Sequence, residues 1–329
     1  MPVNIAEELR HFLGISCCIV GEGGIEYLGY HGMCSLEAKK PVNERTRFLT
    51  ASISKLFVAT AVMQLHESGK LDIDTDISKY VSLNVSNPHG GEITARMLLE
   101  HSSGLSDNEL GLITWRYNKF SPVSLEEQVA RHIIRGGKFY SDSLWSPSGN
   151  YSYSNAGFTL LGYLVEEVSG EPFCQYMEAH IQKPLQMETA TWDIPLDDNS
   201  AVPHVGNREL GHYCVAEYPA CQLRASVEDL AKFLQFFITG EYNGSQILKP
   251  ESVALMCPSN YYHGLGWWGK DACYGYPHED VWIHGGFMDG VRTQINFYPR
   301  YKKGLVILSN NHTPYSKLEE LLVQKIKFG

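Results

Sequence analysis

The sequence predicts one α/β domain assembled from both ends of the chain, with a mainly helical domain inserted between its two parts. Strand-like segments occur near the N-terminus and again in the last quarter, whereas the middle reads as helices and loops. With 329 residues, 43% of them hydrophobic, the chain is long enough for about two domains with a substantial core. We expect residues 1–71 and 200–329 to form the α/β domain, residues 72–199 to form the inserted domain, and a cleft to lie between them.

The N-terminal part begins with a short helix and a β-hairpin. Apolar Ile5, Leu9 and Phe12 indicate a helix over residues 4–13. ISCCIV and IEYLGYHG follow as two strands joined by the turn GEGG. The next segment, FLTASISKLFVATAVMQLHESGKL, has an apolar stripe so broad that we expect a buried helix, which Gly69 ends.

The middle of the chain contains four helical patterns, and the end returns to strands. The four patterns are ITARMLLEHSSG, SLEEQVARHIIRGG, NAGFTLLGYLVEEVSG and FCQYMEAHIQKPL. A helix over SVEDLAKFLQFFITG is expected to begin at Ser226, a good N-cap, with Glu228 and Asp229 in its first turn. Strand-like YYHGLGWWGK, VWIHGG, GVRTQINFYP and KGLVILSN come next, before an amphipathic helix over KLEELLVQKIKF.

The net charge and the cysteine pattern indicate which binding partners and which compartment to expect. The net charge is −10 and Lys and Arg form no cluster, so nucleic acid and anionic membranes are poor partners and small molecules are favoured. No apolar run reaches membrane-spanning length, and no leader pattern begins the sequence. We expect a cytoplasmic protein, or a periplasmic one if a leader was removed. Eight scattered cysteines indicate free thiols, and the oligomeric state is not readable.

Ser52 and Lys55 are the first candidates for chemistry. In a helix this spacing places both side chains on one face, and a lysine beside a hydroxyl can activate it as a nucleophile. A chain of this length shows about one Ser-x-x-Lys by chance. Under that reading Ser52 caps the helix and Lys55 extends to water. Against it, Lys55 stands in a strongly apolar turn, where an unpaired lysine is unfavourable.

Two further motifs can each be interpreted either as part of an active site or as ordinary structure. Tyr153-Ser154-Asn155 follows the turn-rich loop SPSGNYSY, so the phenol can face a cleft and the amide can orient a substrate carbonyl. Alternatively, Tyr153 packs on the domain and Asn155 caps the next helix. His284-Gly285-Gly286 ends a β-like run, and its glycines allow close approach of a ligand. Alternatively, it is only a strand end with a Gly-rich turn.

Motifs for other chemistries are missing from the sequence. It contains no Gly-x-Ser-x-Gly, no His-Glu-x-x-His or paired Cys-x-x-Cys, and no P-loop or strand-linked Gly-x-Gly-x-x-Gly. We therefore expect no metal and no cofactor.

The three motifs, in this order and setting, resemble those of the serine β-lactamase and penicillin-binding-protein superfamily. The branch they resemble comprises class C β-lactamases, D-Ala-D-Ala carboxypeptidases and family VIII esterases. The resemblance runs from about residue 10 to the end, and is also carried by GKLDIDTDISKYV, ARMLLEHSSGL, IQKPLQMETATW and YHGLGWW. It implies a β-lactamase/transpeptidase-like α+β fold: an antiparallel sheet flanked by helices, an inserted all-helical domain, and the active site between them.

The resemblance also implies roles for the first two motifs. Ser52 would attack an ester or amide carbonyl and form an acyl-enzyme. Lys55 and Tyr153 would take its proton and pass it to the leaving group, and which of the two is the base stays open. Asn155 would bind the acyl side of the substrate and help to hold Lys55.

For the third motif the resemblance implies substrate binding. The oxyanion hole would consist of the backbone N–H groups of Ser52 and Phe287. His284, Gly285 and Gly286 would bind the substrate, with His284 facing its leaving side. Water would then hydrolyse the acyl-enzyme.

Several positions depart from the pattern of class C β-lactamases. His284 replaces a lysine that meets the β-lactam carboxylate, and histidine is mostly neutral at pH 7. Phe287 is bulky where small residues are common, and Cys221-Gln222 replaces a more usual Gly-Gly. These departures favour a carboxylesterase or D-amino-acid peptidase with weak β-lactamase activity. The alternatives are a non-turnover penicillin-binding sensor or scaffold, and an acyltransferase that uses the same site.

The pocket shape is expected to depend on three loops, 106–125, 195–220 and 257–280. Aromatic residues in these loops suggest an apolar acyl pocket, although they can equally pack in the core. They are Trp115, Tyr117, Tyr218, Tyr261, Tyr262, Trp267 and Trp268.

Overall fold

The computed structural model describes residues 4–107, 114–115, 123–194, 197, 199–258, 263–269 and 281–328. Its strands are β1 (Gly14–Gly21), β2 (Gly24–Ser35), β3 (Lys40–Pro41), β4 (Phe48–Leu49), β5 (Thr114–Trp115), β6 (His204–Val205), β7 (Arg208–Glu209), β8 (Cys214–Val215), β9 (Arg224–Ala225), β10 (Trp282–Met288), β11 (Val291–Tyr298) and β12 (Lys303–Ser309). Its α-helices are α1 (Ile5–Leu9), α2 (Ser54–Glu67), α3 (Ala95–Leu99), α4 (Leu125–His132), α5 (Asn155–Ser169), α6 (Phe173–Met177), α7 (Tyr218–Cys221), α8 (Val227–Thr239), α9 (Pro250–Met256) and α10 (Ser316–Phe328).

An antiparallel six-stranded sheet forms the centre of the fold. The strand order is β10-β11-β12-β1-β2-β3, so the pairing of β1 with β12 joins the two ends of the chain. Every residue of β1 is buried, because both faces of the sheet are covered. Cys18 faces the core cluster that contains α8, whereas Cys17 faces the cluster formed by α1 and α10. This arrangement confirms the predicted α+β fold, an antiparallel sheet flanked by helices.

The buried helix that follows the hairpin is α2, and it packs against α5 and α7. Leu56, Phe57 and Val62 are fully buried in the main core, as the broad apolar stripe predicts. The described residues between 72 and 199 include α3, α4, α5 and α6 together with the short strand β5. The division of the chain into two domains stays a prediction.

The ends of several elements differ from the sequence prediction. The helix predicted over 4–13 is only α1, although Phe12 still packs beside Leu9 in the core. YYHGLGWWGK is not a strand within 263–269, where His263 and Trp268 make only isolated bridges; its other residues lie outside the described part. The pattern FCQYMEAHIQKPL gives α6 followed by a π-helical turn over Glu178–Gln182.

The predicted N-cap of α8 is confirmed, because the Ser226 hydroxyl accepts a hydrogen bond from the Asp229 N–H. The cap of α5 is Ser154 rather than Asn155, which is the first helical residue. All seven cysteines in the described part are free. Within the same residues, no helix combines the length and apolar character needed to cross a membrane.

Candidate active site

Ser52 lies in a tight turn just before α2. Ala51–Ile53 form a 3₁₀ turn between β4 and α2, and the helix itself begins at Ser54. Ala51 has φ of +50°, a left-handed conformation that is unfavourable for a residue with a Cβ. The strained turn leaves the Ser52 side chain half-buried at the edge of a cavity. Ser52 is therefore not the N-cap of α2, which was the alternative to a chemical role.

The neighbouring serine is already engaged. Ser54 is fully buried, donates to the Ala51 carbonyl at 2.6 Å and accepts from the Leu223 N–H at 3.1 Å. Its hydroxyl holds the backbone around the turn, whereas Ser52 Oγ faces the cavity. The two serines thus differ in accessibility, because Ser52 borders the cavity and Ser54 is buried.

Lys55 is fully buried rather than extended to water. Its Nζ donates to Ser52 Oγ at 3.2 Å, to Asn155 Oδ1 at 2.6 Å and to the Ala220 carbonyl at 3.0 Å. An ammonium group has three N–H donors, so these three acceptors satisfy it completely. The lysine that the sequence left unpaired therefore has partners from three separate segments of the chain.

Tyr153 contacts the same hydroxyl from the loop that precedes α5. Its phenol donates to Ser52 Oγ at 2.8 Å, and its ring centroid lies 4.9 Å from Lys55 Nζ. His101 packs on the ring at 4.6 Å and Trp268 at 5.7 Å between centroids. Ser52 Oγ thus touches two groups that can take a proton once one of them is in its basic form. The distances do not distinguish Lys55 from Tyr153 as that base.

Asn155 links Lys55 to a carboxylate that the sequence analysis did not single out. Its Oδ1 accepts from Lys55, and its Nδ2 donates to Asp107 Oδ2 at 2.8 Å. Asp107 lies just beyond the HSSG that follows α3. The loop pattern has no periodicity that would have indicated which way this side chain points.

A second carboxyl, Glu217, is buried close to this network. Burial, and then the charge of Asp107, raises the pKa of Glu217 well above its usual range, while Lys55 lowers it. Within the described residues, Glu217 Oε2 has no hydrogen-bond partner. The raised pKa makes Glu217 a weaker acid than an exposed glutamate.

The two glycines of the third motif face different surroundings in β10. A Cβ on Gly286 would lie 2.5 Å from the Thr50 carbonyl oxygen and 3.0 Å from the Ala51 Cβ. Only glycine therefore allows β10 to approach the turn that holds Ser52. A Cβ on Gly285 would meet no atom of the described residues within 4 Å, and Gly285 lines the cavity.

His284 is not among the residues that line the cavity, and the substrate-binding role that the resemblance implies for it stays a prediction. Strand alternation turns the ring inward, where it is fully buried and stacks on Trp268 at 4.5 Å. Its Nδ1 lies 2.9 Å from the Gly285 carbonyl. Burial, with the Lys55 charge nearby, lowers the pKa of His284 to about 3. The ring is therefore neutral, and Trp268 and Ile283 form this wall instead.

The cavity has a volume of about 770 Å³. Ser52, Tyr153 and Asn155 line one side of it. The other side is formed by the edge of β10 and β11 and by the start of α10. Phe287 is 63% exposed there, and its ring stacks on His312 with 4.4 Å between centroids. Both residues whose N–H groups were expected to form the oxyanion hole thus border the cavity.

Of the aromatic residues expected to form the pocket, Trp268 lines the cavity. Tyr218 and Trp267 are buried in the core instead, in agreement with the alternative that these aromatic residues pack in the core. Tyr117, Tyr261, Tyr262 and the side chain of Trp115 lie outside the described residues.

Comparison with known proteins identifies relatives along nearly the full chain. The Beta-lactamase family profile matches residues 3–325. Protein flp from Staphylococcus aureus (strain MW2) is 25% identical over 335 residues, which cover 96% of this chain and 63% of flp. The chain thus spans less than two thirds of that relative.

Solved structures agree with the fold. The octameric penicillin-binding protein homologue from Pyrococcus abyssi superposes with a TM-score of 0.77 at 25% identity, covering 98% of this chain and 76% of the other. EstCE1, described as a hydrolase with promiscuous acyltransferase activity, gives a TM-score of 0.77 at 19% identity, covering 99% and 97%. These similarities confirm the superfamily that the three motifs indicated.

Proposed function

Because the chain belongs to the Beta-lactamase family, whose members are generally serine hydrolases acting on small molecules, we propose that it forms an acyl-enzyme on Ser52 and cleaves an ester or amide. One observation carries the proposal. Ser52 Oγ lies 2.8 Å from the Tyr153 hydroxyl and 3.2 Å from Lys55 Nζ at the wall of a cavity. A hydroxyl that borders open space and contacts two groups, either of which can take its proton once in the basic form, is arranged for nucleophilic attack.

In the acylation step, Ser52 Oγ bonds to the substrate carbonyl carbon while its proton passes to Lys55 or Tyr153. The negative charge that develops on the carbonyl oxygen is stabilised by the N–H groups of Ser52 and Phe287. When the tetrahedral intermediate collapses, the bond to the alcohol or amine breaks and that group takes up the proton. Water repeats the sequence on the acyl-enzyme, releasing the acid and restoring Ser52.

The remaining residues of the proposed site bind and orient the substrate. Asn155 keeps one N–H of its amide for the acyl side of the substrate, since the other is donated to Asp107. Gly285 and Gly286 let the substrate lie along β10. His284 shapes the leaving side through Trp268, on which its neutral ring stacks.

The absence of charge on His284 bears on substrate choice. A buried neutral ring supplies no fixed cation for a β-lactam carboxylate at the position where the class C β-lactamase pattern has lysine. We therefore expect a carboxylesterase or D-amino-acid peptidase with weak β-lactamase activity.

Incubation with a fluorophosphonate, followed by mass spectrometry, tests the nucleophile. Phosphonylation releases fluoride and should add one group to Ser52, and Ser52→Ala should stay unlabelled. Substrates can be ranked with p-nitrophenyl esters, D-amino-acid p-nitroanilides and nitrocefin. Retention of full activity by Ser52→Ala would refute the proposal. One equivalent of product without turnover would instead assign a sensor role, and transfer to an added alcohol would assign acyl transfer.

A further inference from the structure

Asp107 is placed against the site by three hydrogen bonds. Oδ2 accepts from Asn155 Nδ2 at 2.8 Å, and Oδ1 accepts from the Ala156 N–H at 3.0 Å and the Ser154 hydroxyl at 3.4 Å. The carboxylate therefore contacts the start of α5 with both oxygens. Within the described residues, Asn155 is the one member of the group Ser52, Lys55, Tyr153 and Asn155 that this carboxylate contacts.

The orientation of the Asn155 amide is fixed from both ends. Its oxygen and nitrogen are nearly identical in shape, so only the hydrogen bonds decide which way the amide points. Lys55 can only donate, and an ionised Asp107 can only accept. With the oxygen towards Lys55 and the nitrogen towards Asp107, both contacts are satisfied. With the amide reversed, both become repulsive.

We propose that Asp107 is a positioning residue, whose carboxylate fixes the Asn155 amide so that Asn155 Oδ1 holds Lys55 against Ser52. This inference rests on the proposed function, because it concerns the group that activates Ser52. The carboxylate acts indirectly. Asp107 orients Asn155, Asn155 holds Lys55, and Lys55 contacts Ser52. Losing the carboxylate frees the amide to turn its N–H towards Lys55, which removes the shortest of the three acceptors of the ammonium.

An asparagine side chain cannot replace that of Asp107 without loss. An amide has one oxygen, but two separate oxygens of Asp107 accept hydrogen bonds. If the oxygen of the substituted amide faces the Ala156 N–H, its NH₂ opposes the NH₂ of Asn155. If that oxygen faces Asn155, the NH₂ opposes the Ala156 N–H. In the first case Asn155 reverses, and in the second the start of α5 loses a partner.

The experiment measures the rate of fluorophosphonate labelling at Ser52, which needs no natural substrate. Asp107→Asn should slow labelling by about 10- to 100-fold, the usual effect of a lost hydrogen bond to a charged group. In an Asn155→Ala background, the same change should slow it by less than about threefold, because the residue through which Asp107 acts is missing. A purely structural role would give the same loss in both backgrounds.

Asp76→Asn is the matched control. Asp76 caps the short helical turn Ile77–Lys79, where its two oxygens accept from the Ser78 N–H and the Ile93 N–H. Asp76→Asn should leave labelling unchanged. The exchange Asp107→Asn with Asn155→Asp restores every donor–acceptor pair, so it should label at least about fivefold faster than Asp107→Asn alone. Circular dichroism would report misfolding of Asp107→Asn. If that variant misfolds, the exchange variant still tests the inference.

The outcomes separate this inference from the proposed function. If wild type is not labelled at Ser52, the proposed function fails. If wild type is labelled and Asp107→Asn is labelled equally fast, or if its loss persists in Asn155→Ala, the positioning role of Asp107 fails alone.

Discussion

The two walls of the cavity differ in how firmly their side chains are held. On the bonded wall, lined by Ser52, Tyr153 and Asn155, Lys55 lies behind the surface, fully buried and with all three of its N–H groups bonded. On the open wall, formed by β10, β11 and the start of α10, Phe287 is exposed and a Cβ on Gly285 would meet no atom of the described residues within 4 Å. We therefore propose that the bonded wall carries the chemistry, for which groups must be fixed before reaction, and that the open wall recognises the substrate, which needs room.

The largest effect should come from the bonded wall, at Ser52. Ser52→Ala should lower fluorophosphonate labelling by at least about 1,000-fold, because no other hydroxyl in the described part of the chain contacts both Lys55 and Tyr153. Ser54→Ala is the matched control two residues away. It should keep labelling at Ser52 but lower the free energy of unfolding by about 1–2 kcal/mol, since the Leu223 N–H loses its acceptor. Mass spectrometry and denaturant titration measure the two effects, and loss of labelling in Ser54→Ala alone would reverse the assignment.

The next effect lies where the walls meet, at the adjacent glycines of β10. Gly286→Ala places a methyl group against the Thr50 carbonyl and the Ala51 Cβ. It should displace the Ser52 turn, slow labelling more than about tenfold and destabilise the protein by about 1–3 kcal/mol. Gly285→Ala adds the same methyl group to open space and should change labelling less than about threefold. Equal effects of the two changes would show that the walls do not differ as described.

A smaller effect concerns the dependence of stability on pH. The pKa of His284 is lowered to about 3 in the folded protein, whereas the ordinary value is 6.5. Between these values the unfolded chain binds a proton that the folded chain does not, so stability falls as the pH falls from 6.5 towards 3 and is unaffected above 6.5.

His284→Gln should therefore reduce the loss of unfolding free energy between pH 7 and pH 4 by about 2–3 kcal/mol. Buried His101 and half-buried His212, whose pKa values burial also lowers, keep part of the acid sensitivity. His11→Gln, at an exposed position, is the control. Denaturant titrations at both pH values measure the difference. An unchanged pH dependence in His284→Gln would contradict the buried, neutral ring.

Sequence alone anticipated the bonded wall better than the open one. Ser52 and Lys55 are three residues apart where a 3₁₀ turn leads into a recognisable helix, so their contact follows from local geometry. His284 was expected to face the substrate, but glycines on its C-terminal side leave no alternation of side chains to show which face of β10 it occupies. Asp107 was missed because its contact with Asn155 joins a loop to a helix 48 residues away. Contacts of that kind depend on tertiary packing, which periodicity does not encode.

The smallest effect should come from the open wall, at Arg292. Its guanidinium carbon lies 4.8 Å from the centroid of the Tyr315 ring, and both residues line the cavity. Among the described residues that line the cavity it is the only lysine or arginine, whereas Asp289 and Glu319 carry negative charge. Glu319 accepts from Gln294 and from Asn296, so its carboxylate is already bonded.

A half-buried cation facing solvent attracts an anionic substrate only weakly, because water screens the charge. Arg292→Gln should therefore raise KM for an ester with a carboxylate on its alcohol side by about 3- to 5-fold, with kcat unchanged. The matching neutral ester should show no change, and neither ester should respond to Arg300→Gln, which removes an exposed arginine outside the cavity. A fall in kcat on both esters would place Arg292 in the chemistry and remove the distinction between the two walls.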